Sequence, residues 1–92
     1  MPRIVKIEPA NDGKKKWVAT FDSGKKTKFG QAGADDFTLT GDKEQRERYR
    51  ARHRKDLETN DPTMAGYLSF YILWGDSRSI QQNVKDFNKR FG

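Results

Sequence analysis

Short apolar stretches separated by turn residues occupy the first 30 residues of the chain. Ile4 to Glu8, Lys15 to Phe21 and Lys25 to Phe29 alternate apolar and polar positions, which predicts three strands. Asn11-Asp12-Gly13 and Asp22-Ser23-Gly24 lie between them and supply residues that tolerate the positive φ of hairpin loops. The pattern therefore predicts a three-stranded antiparallel meander.

The same alternation predicts two chemically different faces for this sheet. Apolar or small side chains are expected on the inner face, at Val5, Ile7, Trp17, Ala19, Phe21, Thr27 and Phe29. Lysines are left on the opposite face or at the strand ends, at Lys6, Lys16, Lys26 and Lys28. The open face of the sheet is therefore predicted to be basic.

The glycine-rich stretch from residue 31 to residue 41 is predicted to be a connecting loop. Its glycines lack the GxxxxGK[ST] spacing of a phosphate-binding loop. We expect Phe37 and Leu39 to anchor the loop to the core. The adjacent acids Asp35 and Asp36 are expected to form a solvated pair.

Residues 42–92 are predicted to form three helices, so the whole chain, residues 1–92, is expected to be one α+β domain. The first helix, Asp42 to Asp56, has Thr40 or Asp42 as its cap. Only a thin stripe of this helix is suited to face the core. That stripe consists of Tyr49, His53 and Leu57.

The second and third helices carry stronger apolar signals. Asp61 and Pro62 predict the start of the second helix, as its cap and first helical residue. The apolar segment 63–74 that follows is too short to span a bilayer, which predicts a buried central helix. Asp76 or Ser77 is expected to open the third helix, whose inward positions recur at helical spacing: Ile80, Val84, Phe87 and Phe91.

Charge is concentrated in one part of the chain, which carries a net charge of +6. Between Lys43 and Lys55 seven basic side chains stand against two acidic ones. Like charges four residues apart on a helix repel, and a partner would relieve that repulsion. Arginine forks suit phosphate and carboxylate alike, so charge alone leaves nucleic acid, an acidic protein surface and plain solvent open.

The sequence contains few residues of the types that catalysis or metal binding requires. There is no cysteine, and His53 is the only histidine, so no set of convergent catalytic groups or metal ligands is expected. We predict no enzymatic activity, no cofactor and no metal, with His53 on the inward stripe. No signal peptide or membrane span is expected either, which predicts a protein of the cytosol, the nucleus or a particle assembled there.

The candidate residues for binding a partner or a nucleic acid fall in two groups. They are Arg46, Arg48, Arg50, Arg52, Arg54 and Lys55 in the helix, and Lys14, Lys15, Lys16, Lys26 and Lys28 in the meander. Aromatic residues among these lysines could form a stacking platform for single strands, although a covered inner sheet face explains them more simply. No DNA-reading motif accompanies the basic helix, so any nucleic-acid binding is expected to follow phosphates and to ignore sequence.

Five short motifs occur along the chain: KFG at residues 28–30, DFT at 36–38, ERYRARHRK at 47–55, DPTMAGYLSFYILW at 61–74 and FG at 91–92. Together these motifs resemble those of a family of small basic proteins encoded by nucleocytoplasmic large DNA viruses. The resemblance extends from about residue 25 onward and leaves the first hairpin without a match.

The resemblance implies a non-enzymatic structural protein of a large DNA virus particle, a minor capsid or internal virion component. Its basic faces would bind acidic virion proteins, membrane headgroups or the genome, in the virion and in the host cytoplasm or nucleus during assembly. The alternative is a sequence-nonspecific nucleic-acid-binding or genome-packaging protein. A third hypothesis is an accessory factor inside the cell that never enters the particle.

Overall fold

The computed structural model describes residues 2–92 and confirms an α+β fold, with three strands followed by helices. The strands are β1 Ile4–Pro9, β2 Lys15–Phe21 and β3 Lys26–Gln31, and they form one antiparallel sheet in the order β1-β2-β3. Both hairpin loops contain residues with positive φ, as predicted. Asn11 and Gly13 have φ values of 57° and 71°, and Gly24 has 91°.

The inner face of the sheet largely follows the predicted alternation. Its buried or core-packed side chains are Ile7, Trp17, Ala19, Phe21 and Phe29. Antiparallel pairing places Ala19 opposite Ile7, and Trp17 opposite Phe29, so these side chains share one face.

A one-residue bulge in β1 makes the prediction for Val5 wrong. Ile4 pairs with Phe21 and Lys6 pairs with Thr20, so β1 has one residue more than β2 across this step. Ile4 is buried, whereas Val5 is 60% exposed. Strict alternation has a period of two and cannot register an extra residue.

The helical part contains one more helix than predicted. Its elements are α1 Phe37–Thr40, α2 Lys43–His53 with a 3₁₀ turn at Arg54–Thr59, α3 Ala65–Leu68 with a π turn at Ser69–Leu73, and α4 Ile80–Phe91. The additional helix is the four-residue α1.

Helix α1 forms inside the stretch that was predicted to be a connecting loop. Asp36 caps it, because its Oδ1 atom accepts a hydrogen bond from the backbone N–H of Thr38 at 2.9 Å. Phe37 is buried, as predicted, but Leu39 is 61% exposed. The prediction that Leu39 anchors the segment is therefore wrong, since residues two apart on a helix do not share a face.

Asp42 caps α2, so of the two predicted caps, Thr40 and Asp42, the second is the one observed. Its Oδ1 atom accepts from the backbone N–H of Gln45 at 3.1 Å. The regular helix ends at His53, three residues earlier than predicted. The 3₁₀ turn carries the chain on to Asn60, whose φ of 53° breaks the helical path.

Helix α3 begins at Ala65, later than predicted. Asp61 accepts from the backbone N–H and the hydroxyl of Thr63, at 3.0 and 2.6 Å, and so closes a local turn. The same aspartate pattern serves helix caps and such turns, so the sequence signal does not separate them.

Helix α4 also starts later than predicted, and Ser79 is its cap. The Ser79 hydroxyl accepts from the backbone N–H of Gln82 at 3.2 Å. The two predicted caps have other partners: Asp76 accepts from Arg50, and the backbone of Ser77 bonds to the side chain of Asn83.

The core lies between the inner sheet face and the element formed by α3 and the π turn. Segment 63–74 contributes six buried side chains, which confirms its predicted central position: Tyr67, Leu68, Phe70, Ile72, Leu73 and Trp74. Phe87 of α4 packs against Phe21 of β2, with ring centroids 6.4 Å apart. Within residues 2–92, no helix combines the length and the apolar character needed to cross a bilayer.

Two buried asparagines of α4 join segments that are distant in sequence. Asn88 accepts from the backbone N–H of Ile4 at 2.7 Å and donates to its carbonyl oxygen at 2.9 Å. Asn83 donates to the carbonyl oxygens of Ile72 and Ser77, both at 2.7 Å. These bonds satisfy backbone groups that would otherwise be costly to bury.

Candidate binding surface

An aromatic stack holds the inward side of α2. The Tyr49 ring lies between Trp74, with centroids 4.4 Å apart, and His53, with centroids 4.1 Å apart. Burial raises the pKa of the Tyr49 hydroxyl. His53 stacks on Tyr49 along the predicted stripe, but its side chain is 39% exposed, and its Nδ1 atom lies 3.0 Å from Oδ2 of Asp56. Within residues 2–92, no group of three acidic or histidine side chains is placed to hold a metal ion.

The Arg50 side chain packs against the rest of the protein. Its Nε atom donates to the carbonyl oxygen of Trp74 at 2.8 Å, and Nη2 donates to Oδ1 of Asp76 at 3.0 Å. Its guanidinium lies 5.8 Å from the centre of the Phe70 ring. These hydrogen bonds tie α2 to the chain that follows the π turn. Only 20% of the Arg50 side chain is exposed.

Arg46 is similarly engaged. Its guanidinium lies over the Phe37 ring at 4.6 Å, and Nε donates to Glu47 at 3.1 Å. Only 14% of its side chain is exposed. Arg46, Arg50 and Arg54 follow one another at intervals of four residues, but the first two contact the protein while Arg54 is exposed in the 3₁₀ turn.

The other basic side chains of this segment face solvent. They are Lys43, Arg48, Arg52, Arg54 and Lys55, all exposed. In the part of the chain that the structure describes, none of these side chains forms an ion pair or a hydrogen bond. Arg48 and Arg52 lie one helical turn apart, about 6 Å along the axis. We call Arg48 and Arg52 of α2, together with Lys55 of the adjoining 3₁₀ turn, the outer basic face of α2.

Lys16 is not a free surface charge. Its ammonium group donates to Oδ2 of Asp36 and to the carbonyl oxygen of Ala34, and the two paired side chains are 13% and 2% exposed. The prediction of a solvated acidic pair is wrong for Asp36, whose carboxylate is held by this ammonium and by the start of α1. Asp35 is exposed, as predicted.

The lysines around the first hairpin are partly neutralised. Lys28 pairs with Asp12 at 3.1 Å. The pKa of Asp12 falls to about 2, first because the backbone N–H groups of Lys15 and Lys14 bond to it and then because of Lys28. Lys14, Lys15 and Lys26 are exposed, and among residues 2–92 their ammonium groups have no ion-pair partner. Lys6 lies 3.4 Å from Glu8, so the basic sheet face carries less free charge than predicted.

A groove of about 390 Å³ lies beside α2. From α2 it is lined by Gln45, Tyr49, Arg52 and His53; from β3 and the following chain by Gly30, Gln31, Ala34 and Asp35; and elsewhere by Lys16, Ser69, Leu73 and Trp74. Sequence reasoning missed this groove because its lining comes from segments that only the fold brings together. Arg52 is its one residue shared with the outer basic face of α2.

These features define a small α+β domain with a free basic helix face and an adjoining groove. A profile described as "Family of unknown function (DUF5754)" matches residues 5–53, just over half of the chain, and the chain belongs to this family. The matched region ends at the last residue of α2 and so includes Arg48 and Arg52. No curated protein and no solved structure matches the chain.

Proposed function

We propose that this protein is a non-enzymatic binding module that uses the outer basic face of α2 to attach to an acidic partner. The division of the α2 arginines carries the proposal. Arg46 and Arg50 are used in packing, whereas Arg48 and Arg52 are exposed without an acceptor among residues 2–92. Neighbouring like charges repel by a few tenths of a kcal/mol per pair, roughly, and an opposing anionic surface would remove that cost.

The setting we propose is a large DNA virus particle, in which the protein is a minor capsid or internal virion component. This part of the proposal is supported by the motif resemblance, above all by the segments at residues 47–55 and 61–74. Arginine suits such a contact because its planar fork forms two parallel hydrogen bonds to one carboxylate.

The test is a triple variant, Arg48→Gln, Arg52→Gln and Lys55→Gln, expressed during infection. Its incorporation into purified virions, measured by quantitative mass spectrometry, is expected to fall by at least about tenfold, because partly desolvated charge pairs contribute strongly to affinity. A charge-matched control replaces Arg3, Lys85 and Lys89 by Gln; these three residues are exposed together near α4. Incorporation of the control is expected to remain normal.

Arg46 and Arg50 are unsuitable for this test because their loss would also perturb packing. Absence of the wild-type protein from virions would contradict the particle assignment and favour an accessory factor inside the cell. Equal loss of incorporation in both triple variants would contradict a role for the outer basic face.

Sequence-nonspecific nucleic-acid binding is the second candidate. The exposed ammonium groups of Lys14, Lys15 and Lys26 favour it, since they extend the free positive charge beyond α2. Duplex affinity would then fall with salt at a log–log slope of about −0.9 per phosphate neutralised. The α2 triple variant would flatten that slope by roughly 2 to 3. Tight, salt-sensitive duplex binding with normal incorporation of that variant would favour this second function.

A further inference from the structure

We infer that the groove beside α2 binds an extended acidic peptide segment of the partner, with one side-chain carboxylate on Arg52. The inference rests on the proposed function and specifies where the partner's chain lies. It also names the kind of segment that the partner contributes.

The charges of the groove favour a peptide over a nucleic-acid strand. Lys16 lines the groove, but its ammonium is already paired with Asp36. The free charges that remain are Arg52 on the helix side and Asp35 on the loop side. A phosphodiester backbone has no N–H group to donate to Asp35, whereas an extended peptide can direct a carboxylate toward Arg52 and backbone N–H groups toward Asp35.

Two amide side chains in the groove match the chemistry of a peptide backbone. Gln31 forms no side-chain hydrogen bond within residues 2–92, and Gln45 uses only its oxygen, which accepts from Thr40 at 3.0 Å. Each amide therefore has donors to offer, and Gln31 has an acceptor as well. A peptide group presents the complementary N–H and C=O pair.

The inner lining of the groove contains an irregular helical segment. Ser69 and Leu73 bound the π turn, in which the Trp74 N–H bonds to the Ser69 carbonyl oxygen at 3.0 Å. Such turns occur frequently at functional sites. Gly30 allows β3 to lie close to this segment, because a Cβ atom there would lie 2.8 Å from the Leu73 side chain. Leu73 and Trp74, both buried, form the floor of the groove.

The spacing of the outer basic face predicts the pattern of the peptide. Arg48 and Arg52 are about 6 Å apart along the helix axis. An extended chain advances about 3.3 Å per residue, so alternate residues are separated by nearly the same distance. Where the peptide leaves the groove at Arg52 and continues along α2, acidic residues at every second position would meet both Arg52 and Arg48 from one side of the peptide.

The experiment compares three labelled probes by fluorescence anisotropy at low salt. The first is a peptide of six alternating Glu-Thr repeats, and the second has the same composition with all glutamates in one block. The third is a thymidine heptanucleotide, which carries six phosphodiesters. We expect the alternating peptide to bind most tightly.

Arg52→Gln is the groove variant, and Arg54→Gln is its control, because both remove one exposed charge and only Arg52 lines the groove. We expect Arg52→Gln to raise the dissociation constant of the alternating peptide about tenfold, and Arg54→Gln to raise it by less than about twofold.

Three results would overturn the inference in distinguishable ways. If neither acidic peptide binds the wild-type protein, the proposed function fails together with the groove. If both peptides bind equally and both variants weaken them equally, the proposed function survives but the groove is not the site. If the heptanucleotide binds more tightly than the peptides and Arg52→Gln abolishes its binding, the groove takes a nucleic acid.

Discussion

Helices α2 and α4 are both surface helices, of eleven and twelve residues, yet they are attached to the core by different chemistry. Helix α4 buries Phe87 and packs a regular apolar stripe against the core cluster, mainly at the π turn, with Phe87 reaching Phe21 of the sheet. Helix α2 has no buried residue and is held by the Tyr49 stack and by the guanidinium groups of Arg46 and Arg50. Arginine can thus replace an apolar stripe, because its stem packs while its head bonds and stacks. The number of arginines in α2 is therefore larger than the number that is free to bind a partner.

The largest expected effect lies in α4. Phe87→Ala should lower the free energy of unfolding by ~3 to 5 kcal/mol, because it leaves a cavity in a small core. Chemical denaturation with urea measures this loss. An unchanged melting temperature for a soluble Phe87→Ala protein would mean that the α4 stripe does not hold the fold.

A smaller but clear loss is expected from Arg50→Gln in α2. Glutamine cannot reach both the Trp74 carbonyl and the Asp76 carboxylate, so we expect about 1 to 2 kcal/mol of lost stability. The urea midpoint should shift with little change in the slope m. A midpoint equal to that of the wild type would show that Arg50 does not fasten the helix.

The smallest effect is expected from Arg48→Gln, because Arg48 is exposed although it lies only two residues from Arg50. Its stability should stay within ~0.5 kcal/mol of the wild type, since exposed substitutions without specific contacts have little effect. The same thermal and urea measurements apply. Equal losses in the Arg48 and Arg50 variants would refute the division between the two sides of α2.

Local patterns were sufficient to predict the meander, the central segment 63–74 and the α4 stripe. They failed where a distant group decides the outcome. Val5 turns outward at a bulge beside Ile4, and Ile4 is bonded by Asn88 from the far end of the chain. Asp36 is buried because Lys16 reaches it from β2, which neither local stretch reveals.

At the candidate site, too, the local sequence pattern is insufficient to predict the outcome. In a regular helix, Arg50 and Arg52 lie at equal angles on either side of the stripe formed by Tyr49 and His53. Periodicity cannot say which of the two will be used in packing. The choice falls on Arg50 because Asp76 lies on its side of the helix, 26 positions along the chain.

The bond between Asn88 and Ile4 also determines when folding of the strand edge can be completed. The two residues are separated by 84 positions, so the edge groups of Ile4 lack this partner until α4 has been made. At translation rates of ~5 to 20 residues per second, that wait lasts roughly 4 to 17 s. An unpaired strand edge invites pairing with other chains. The newborn polypeptide is therefore most exposed to misassembly while still on the ribosome, and truncated nascent chains that stop before residue 88 should associate with one another more than the full-length chain does.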